Sequence, residues 1–331
     1  MSYSNFNQVF EEFNKLKVLI IGDVMVDAYI WGAVERISPE APVPIVRATK
    51  RDHRLGGAAN VALNVQALGA EPILCAVVGT DEGAQKVFER LEVNGISKEG
   101  IIESNERPTT VKTRVLSSHQ HIVRVDEETD KILSKDEESK LWERIEKILP
   151  NCQVVIFEDY DKGAITKNII KKTVELAKSK GIPTVVDPKK RNFLNYKGTT
   201  LFKPNLKELK EGLKIEFEKS DKAEVEKAVE LLMSKLNGEG SLITLSEKGV
   251  FIDYKGEKHH IPAHLREISD VSGAGDTVIS IAALCVALNL SPMVIAALSN
   301  LGGGLVCEHI GVVPIDKNDL LQEANKLNIS L

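Results

Sequence analysis

Near the C-terminal end the chain reads Asp270-Val-Ser-Gly-Ala-Gly-Asp-Thr277, and the apolar run Val278 to Leu290 follows directly. Gly273, Ala274 and Gly275 are small enough for the main chain to approach a ligand closely. The helix that follows would aim its unpaired N–H groups and positive dipole end at the same place, which makes this a site for an anion. Asp276 lies inside that electropositive turn, where a bare carboxylate competes with a bound phosphate unless it has a task of its own. Its natural task is to take a proton from a hydroxyl that is about to attack phosphorus. The competing explanation is an ordinary helix start, with Asp276 as an N-terminal charge or cap.

Other groups of residues carry chemistry of a compatible kind. Leu55-Gly-Gly-Ala-Ala-Asn60 opens a helix after a β-like segment, so Gly56 and Gly57 allow close approach and Asn60 offers a donor and an acceptor to a polyhydroxylated ligand. A glycine turn with small residues for helix packing explains the same letters. Asp23 and Asp27 follow a strand and could accept from sugar hydroxyls or serve as turn residues. In Lys203-Pro-Asn-Leu-Lys-Glu208, Asn205 and Glu208 are three apart at a helix start. They suit Mg²⁺ held through water, or equally a capping box. Two strand-end clusters, Glu158-Asp-Tyr-Asp-Lys-Gly163 and Val186-Asp-Pro-Lys-Lys-Arg191, bring acids and bases to one sheet edge. Among them Asp187 and Lys189 are candidates for phosphate or sugar contact, and Lys190 and Arg191 for a solvated charge run.

These residues need a scaffold, and the chain describes one. Lys17 to Gly22 is a short apolar run ending in glycine, which predicts a buried strand with functional residues at its C-terminal end. The pattern then alternates. Helical character over 57–68 and 83–94 flanks a strand over 73–78, and the alternation resumes with strands over 154–157, 184–186, 201–202 and 241–245 and helices over 166–179 and 222–236. Such a rhythm predicts an α/β fold, a doubly wound, mostly parallel sheet with helices on both faces and ligands at the carboxyl ends of its strands. Two segments, about 29–50 and 107–126, break the rhythm with prolines and β-type alternation, and together predict a small antiparallel sheet. It is either a lid that closes over substrate or a pair of solvent-facing edge hairpins.

The 331 residues are read as a single domain carrying this insertion, with 43% apolar and 27% charged residues and a net charge of -5. That composition speaks against a disordered chain or a basic nucleic-acid surface, and favours a small-molecule partner. Cys75, Cys152, Cys285 and Cys307 lack metal-ligand spacing and are expected to be reduced. The polar, acidic N-terminus and the lack of a long apolar stretch predict a cytoplasmic protein with no membrane association.

Taken in order, Leu55–Asn60, Asn205-x-x-Glu208 and Asp270–Asp276 resemble the ribokinase-like (PfkB-type) sugar kinases across nearly the whole chain. Within them the chain is most similar to the D-glycero-β-D-manno-heptose 7-phosphate kinases. That likeness rests on Ile21-Gly-Asp-Val-Met-Val-Asp27, Arg36-Ile-Ser-Pro-Glu-Ala-Pro-Val-Pro44, Asp159-Tyr-x-Lys-Gly163, Val186-Asp-Pro-Lys189 and Gly273-Ala-Gly-Asp-Thr-Val278.

The resemblance implies a β lid that serves as a homodimer contact, Asp276 as general base, and Gly273, Ala274 and Gly275 as anion hole. It implies Asn205 and Glu208 organising Mg²⁺ and the phosphates of ATP, with Thr244, Ser246, Gly249 and Asn300 bordering the nucleotide. Asp23, Asp27, Gly56, Gly57, Asn60, Asp159, Asp187 and Lys189 match substrate contacts, and Asp270 with the loop near Gly311 matches a K⁺ site of some relatives. The chain departs from the pattern at Ser117-Ser-His-Gln-His121, where the heptose kinases tend to carry an arginine before His-Gln. Lys112, Arg114 and Arg124 remain as partners for the substrate's own phosphate. The expected reaction is phosphorylation of the anomeric 1-hydroxyl in ADP-heptose biosynthesis, with nucleotidyl transfer left to a separate protein. The alternatives are another ribokinase-like sugar or sugar-phosphate kinase, and a silent sugar- or nucleotide-binding sensor, against which the intact Gly-Ala-Gly-Asp argues.

Overall fold

The computed structural model describes residues 3–117, 120–217, 221–264, 266–327, 329 and 331. Ser118 and His119, within the segment that departs from the heptose-kinase pattern, lie outside the described residues. In the first half the elements are α1 (Phe6–Phe13), β1 (Lys17–Gly22), β2 (Val24–Ile37), β3 (Pro44–Gly57), α2 (Ala58–Ala67), β4 (Glu71–Val78), α3 (Glu82–Val93), β5 (Ile101–Glu103), β6 (Thr110–Ser117), β7 (Gln120–Glu127) and α4 (Lys135–Ile148). There follow β8 (Val154–Glu158), α5 (Lys167–Ser179), β9 (Thr184–Asp187), β10 (Leu201–Phe202), α6 (Leu206–Leu213), α7 (Lys222–Leu236), β11 (Gly240–Thr244), β12 (Val250–Tyr254), β13 (Glu257–Ile261), α8 (Ala274–Ala287), α9 (Pro292–Val306) and α10 (Lys317–Ala324).

Among the described residues nine strands form one sheet in the order β13-β12-β11-β10-β9-β8-β1-β4-β5. Pairings from β11 through β5 are parallel, and β12 alone is reversed, pairing antiparallel with both β11 and β13. Its central strands read as unbroken apolar runs because both faces are covered. In β1, Val18 and Ile20 enter a core shared with α2, α8 and α9, whereas Leu19 and Ile21 enter the opposite core, shared with α4 to α7. The same alternation places the chemistry. Gly22, Glu158 and Asp187 lie in register at the carboxyl ends of β1, β8 and β9. By parity with Ile20, Ile156 and Val185 they face the α8 side, and Lys203 follows Leu201 to that side as well. Helix α8 is buried from Asp276 to Val286, as expected for a helix apolar all round.

The smaller sheet has the order β3-β2-β6-β7. It departs from the sequence expectation in two ways. It is mixed, because β6 lies parallel to β2 while the outer pairs are antiparallel. It also runs further than 29–50 and 107–126: Val24 pairs with Gly57, and Val111 with Glu127. The apolar triplet Val24-Met25-Val26 continues the ladder to the mouth of β1, so residues read as loop are strand. Burial falls steadily along β2 from Val24 to Ile37, with the base of the lid in the core and its tip exposed. All four cysteines are free and buried. No described helix is long and apolar enough to cross a membrane.

Candidate active site

Gly273 caps α8 in the left-handed region, at φ 82° and ψ -3°, which turns the Asp270–Ser272 loop sharply into the helix. The Ala274 N–H is donated to Val271 O at 3.3 Å and that of Thr277 to Gly273 O at 3.0 Å. The N–H groups of Gly275 and Asp276 are therefore the ones left for a ligand. Asp276, 5% exposed, stands on the first turn beside them. Its Oδ2 accepts from Asn60 Nδ2 at 2.6 Å and its Oδ1 from the Tyr160 hydroxyl at 3.0 Å. Burial pushes the Asp276 carboxyl up to about 6; the Asp187 charge adds to this, while the Asn60 and Tyr160 bonds and Lys203 oppose it.

Beneath this turn lies the row of strand-end residues. Lys203 Nζ and Asp187 Oδ2 form a buried ion pair at 2.7 Å. A Cβ on Gly275 would lie 3.6 Å from Asp187 Oδ2 and 3.7 Å from Lys203 Nζ, so the pair sits directly against the glycine turn. Burial lowers the Lys203 ammonium, yet Asp187 and Glu208 outweigh it and hold its pKa raised. Glu158 is buried, and burial followed by the Asp187 and Asp276 charges keeps its carboxyl well above the usual range. Glu158 Oε2 and Asn60 Oδ1 have no hydrogen-bond partner. Such orphans are uncommon in a finished core and suit a pocket awaiting polar groups from a ligand.

Two carboxylates expected at substrate have other tasks. Asp23 accepts the main-chain N–H groups of Tyr160, Lys162 and Ala164 at 2.9, 3.1 and 3.1 Å, so it fastens the loop after β8 instead of facing a sugar. Asp159, one residue beyond Glu158, points to the opposite face. There it accepts from Tyr196 at 2.7 Å and Asn192 at 3.2 Å, and burial pushes it up to about 6.

Asn205 and Glu208 form the capping box. Asn205 Oδ1 accepts the Glu208 N–H at 2.9 Å and Glu208 Oε2 the Asn205 N–H at 2.8 Å, while Glu208 Oε1 holds Lys189 Nζ at 2.5 Å. Desolvation lowers Lys189, but Asp187 and Glu208 prevail and raise it. Among the described residues no group of three or more His, Cys, Asp and Glu side chains is arranged to hold a metal ion. The Asn205–Glu208 donor set is all oxygen, which suits Mg²⁺, and with these oxygens already engaged it fits that ion through water. Thr244 bridges to Asn205, and the turn that holds Ser246 and Gly249 follows it. Asn300 donates to Pro262 O at 2.8 Å across the gap between α9 and β13.

The lid contributes a charged face. Asp27 is buried against Arg114, and a Cβ on Gly56 would collide with the Asp27 carboxylate. Gly57, at φ 58°, lies where a side chain would strike Asp23 O. Arg54 and Arg114 flank the Tyr29 ring at 5.0 and 5.4 Å, and Arg54 reaches Val312 O at 3.2 Å. Lys112 lies 3.5 Å from Glu128 and 3.9 Å from Asp126. Arg124 stands opposite Arg114 in the β6–β7 ladder and so shares its face, but its side chain is 56% exposed and paired along its own strand with Asp126 at 2.8 Å. Asp270 accepts the N–H groups of Ser272 and Gly311 at 3.0 and 2.9 Å, tying the turn before α8 to the loop after α9. Burial raises its carboxyl, but these backbone donors win and hold it low.

A buried carboxylate, outward helix N–H groups and a buried lysine at the carboxyl edge of a doubly wound sheet suit a phosphotransferase of the sugar-kinase class. The model of the pfkB family carbohydrate kinases matches residues 15–318, and the chain belongs to that family as an ATP-dependent sugar kinase. Its curated relatives include proteins named Bifunctional protein HldE. The one from Desulfatibacillum aliphaticivorans is 36% identical over 93% of this chain and 63% of its own length, and that from Granulibacter bethesdensis 39% identical over 96% and 67%. This chain thus spans about two thirds of their length. Among solved structures, phosphofructokinase-2 from Escherichia coli in complex with potassium superposes with a TM-score of 0.78 at 17% identity, over 93% of this chain and 98% of that one. Arabidopsis thaliana ribokinase complexed with ribose and ATP gives 0.73 at 18% identity, over 95% and 99%.

The sequence points to Asp276, Asn60, Asp187 and Lys189 individually, names Tyr160, Glu158 and Lys203 only within their clusters, and gives no sign of Arg54. A signal existed for two of them. Glu158 and Lys203 each stand two residues beyond a buried strand residue of the α8-side core, and Asp187 shares that parity.

Proposed function

We propose that this sugar kinase transfers the γ-phosphoryl group of ATP to the anomeric 1-hydroxyl of D-glycero-β-D-manno-heptose 7-phosphate, giving the 1,7-bisphosphate for ADP-heptose biosynthesis. The observation that carries the chemistry is Asp276, buried on the first turn of α8 with both oxygens held by neutral donors and the outward N–H groups beside it. The choice of sugar rests on the Arg36–Pro44, Asp159–Gly163 and Val186–Lys189 motifs, in keeping with the HldE relatives.

Asp276 accepts the hydroxyl proton as the new O–P bond forms and the bond from the γ-phosphorus to ADP breaks. A carboxyl with a pKa of about 6 is ionised at neutral pH yet basic enough for this role. The Gly275 and Asp276 N–H groups, with the dipole of α8, stabilise charge on the transferred group. Gly273 and Ala274 shape that turn. Asn205 and Glu208 would hold Mg²⁺ through water, and the ion would neutralise phosphate charge. Thr244, Ser246, Gly249 and Asn300 border the nucleotide, while Asn60, Asp187, Lys189, Gly56 and Gly57 shape the sugar side. Arg114 and Lys112 lie on the lid for the substrate's 7-phosphate. Asp270 is the candidate anchor for a monovalent cation, in line with the potassium complex of phosphofructokinase-2. The half-exposed Val123 and Val125 on β7 support a homodimer formed through the lid.

Phosphorus NMR of a reaction with ATP and authentic heptose 7-phosphate tests this reading. The expected result is a second sugar-phosphate resonance, split by the anomeric proton, beside an unchanged 7-phosphate. A panel in which fructose 6-phosphate or ribose is consumed faster would contradict the choice of sugar.

A further inference from the structure

Loop 159–163 after β8 carries two polar side chains of opposite fate. Asp159 is spent on Tyr196 and Asn192 in the far core, whereas Tyr160 turns back to the site. Three contacts fix it. Its N–H is fastened to Asp23 Oδ2 at 2.9 Å, its hydroxyl donates to Asp276 Oδ1 at 3.0 Å, and Lys189 Nζ stands 5.3 Å from the ring centroid. Lys189 is in turn bonded to Glu208 of the Asn205 cap. Tyr160 therefore touches the acceptor side through its hydroxyl and the nucleotide side through its ring.

Resting on the reading of Asp276 as the base, we propose that Tyr160 is its positioning residue, fixing one carboxylate oxygen while Asn60 fixes the other, so that the acceptor hydroxyl meets the base in a single orientation. The surroundings of Asp276 explain why a neutral donor is needed. From β8 it faces Glu158, from β9 Asp187, from the segment after β10 Lys203, from α2 Asn60, and from the loop after β8 Tyr160, with Lys189 over the Tyr160 ring. The two acids and the burial disfavour a charged Asp276, and Lys203 is paired with Asp187. The donors Asn60 and Tyr160, ahead of Lys203, are thus the groups that favour its anionic form. Tyr160 remains a donor throughout, because burial, then the charges of Asp276, Glu158 and Asp187, push its phenol well above the ordinary range. A carboxylate oxygen accepts more than one hydrogen bond, so Tyr160 keeps its proton and its place while the acceptor's proton passes to Asp276.

Tyr160→Phe tests this and keeps the ring beneath Lys189, so folding is retained. The expected result is an acid limb of the kcat/KM profile for the sugar moved to higher pH by about one unit, a loss of about tenfold below the midpoint. That loss shrinks toward pH 8.5, and KM for ATP stays unchanged. Carbon-13 NMR of carboxyl-labelled aspartates, with the Asp276 resonance assigned through Asp276→Asn, follows the same ionisation without any substrate, and its midpoint should rise in Tyr160→Phe. A loss equal at every pH, or an NMR midpoint that does not move, overturns the proposal. If the wild-type enzyme consumes ATP with no sugar, the proposed reaction fails, and the NMR titration still decides the role of Tyr160.

Discussion

The α8 turn and the inner face of the lid are both dense in charge, but they are built on opposite terms. At the turn, Glu158, Asp187 and Asp276 outnumber the one fully buried cation, Lys203, and leave two polar atoms without partners. On the lid, Asp27 meets Arg114, Asp52 meets Arg54, and Asp126 meets Arg124, most of them partly open to water. The turn carries an electrostatic cost that only a ligand or a proton can relieve. The lid balances its charges in pairs, and where these are open to water a partner can be exchanged for another anion at little cost. On the proposed function, reactivity belongs to the first region and adjustable recognition to the second.

That contrast can be broken most forcefully at Lys203. Lys203→Met strips Asp187 of its buried partner and should lower stability by about 3–5 kcal/mol, read by urea denaturation. Asp187→Asn added to it should restore part of the loss, and full stability in the single variant would remove the buried ion pair from the account. The next effect is in pH. Asp276 has a folded-state pKa of about 6, above its ordinary 3.8, so its contribution to stability is complete below about pH 4 and lost as pH rises through 6. Asp270, held low by backbone donors, works the other way and loses its contribution as pH falls through its folded value. The stability difference between wild type and Asp276→Asn should consequently shift by about 2 kcal/mol between pH 4.5 and 7.5, in favour of the variant at the higher pH. A difference independent of pH would contradict the burial cost assigned to this carboxylate.

On the lid the effects are smaller and selective. Arg114→Ala should raise KM for a phosphorylated acceptor by about 10–100-fold while leaving KM for its unphosphorylated analogue much less affected. Equal losses for both would mean that Arg114 only supports Asp27. Arg124→Ala should change stability by no more than about 0.5 kcal/mol and KM by less than about twofold, since it removes an exposed pair.

How far this contrast can be read from the chain differs by region. The large sheet follows from its apolar runs, because a parallel strand covered on both faces has little choice of residue. Asp276 and the glycines before it are legible because loop, cap and carboxylate are contiguous. For Asn205 and Glu208 the spacing leaves a metal contact and a capping box as alternatives, and the capping box is present. The task of Asp23 has no local mark, because its three N–H partners come from a loop more than a hundred residues away in sequence. Asp159 and Glu158 are neighbours in one motif, and only strand parity sends one into the far core and the other to the site. The mixed lid was missed because β2 and β6 are brought side by side by the intervening α2, β4, α3 and β5, which hydrophobic alternation does not encode.

The most direct test of the central claim is the turnover of Asp276→Asn with ATP and heptose 7-phosphate, measured beside the binding of each substrate by calorimetry. Loss of general-base catalysis predicts a kcat lower by about 10²–10⁴, with both dissociation constants within a few-fold of wild type. A variant that binds both substrates and turns over at the wild-type rate would show that Asp276 is not the base.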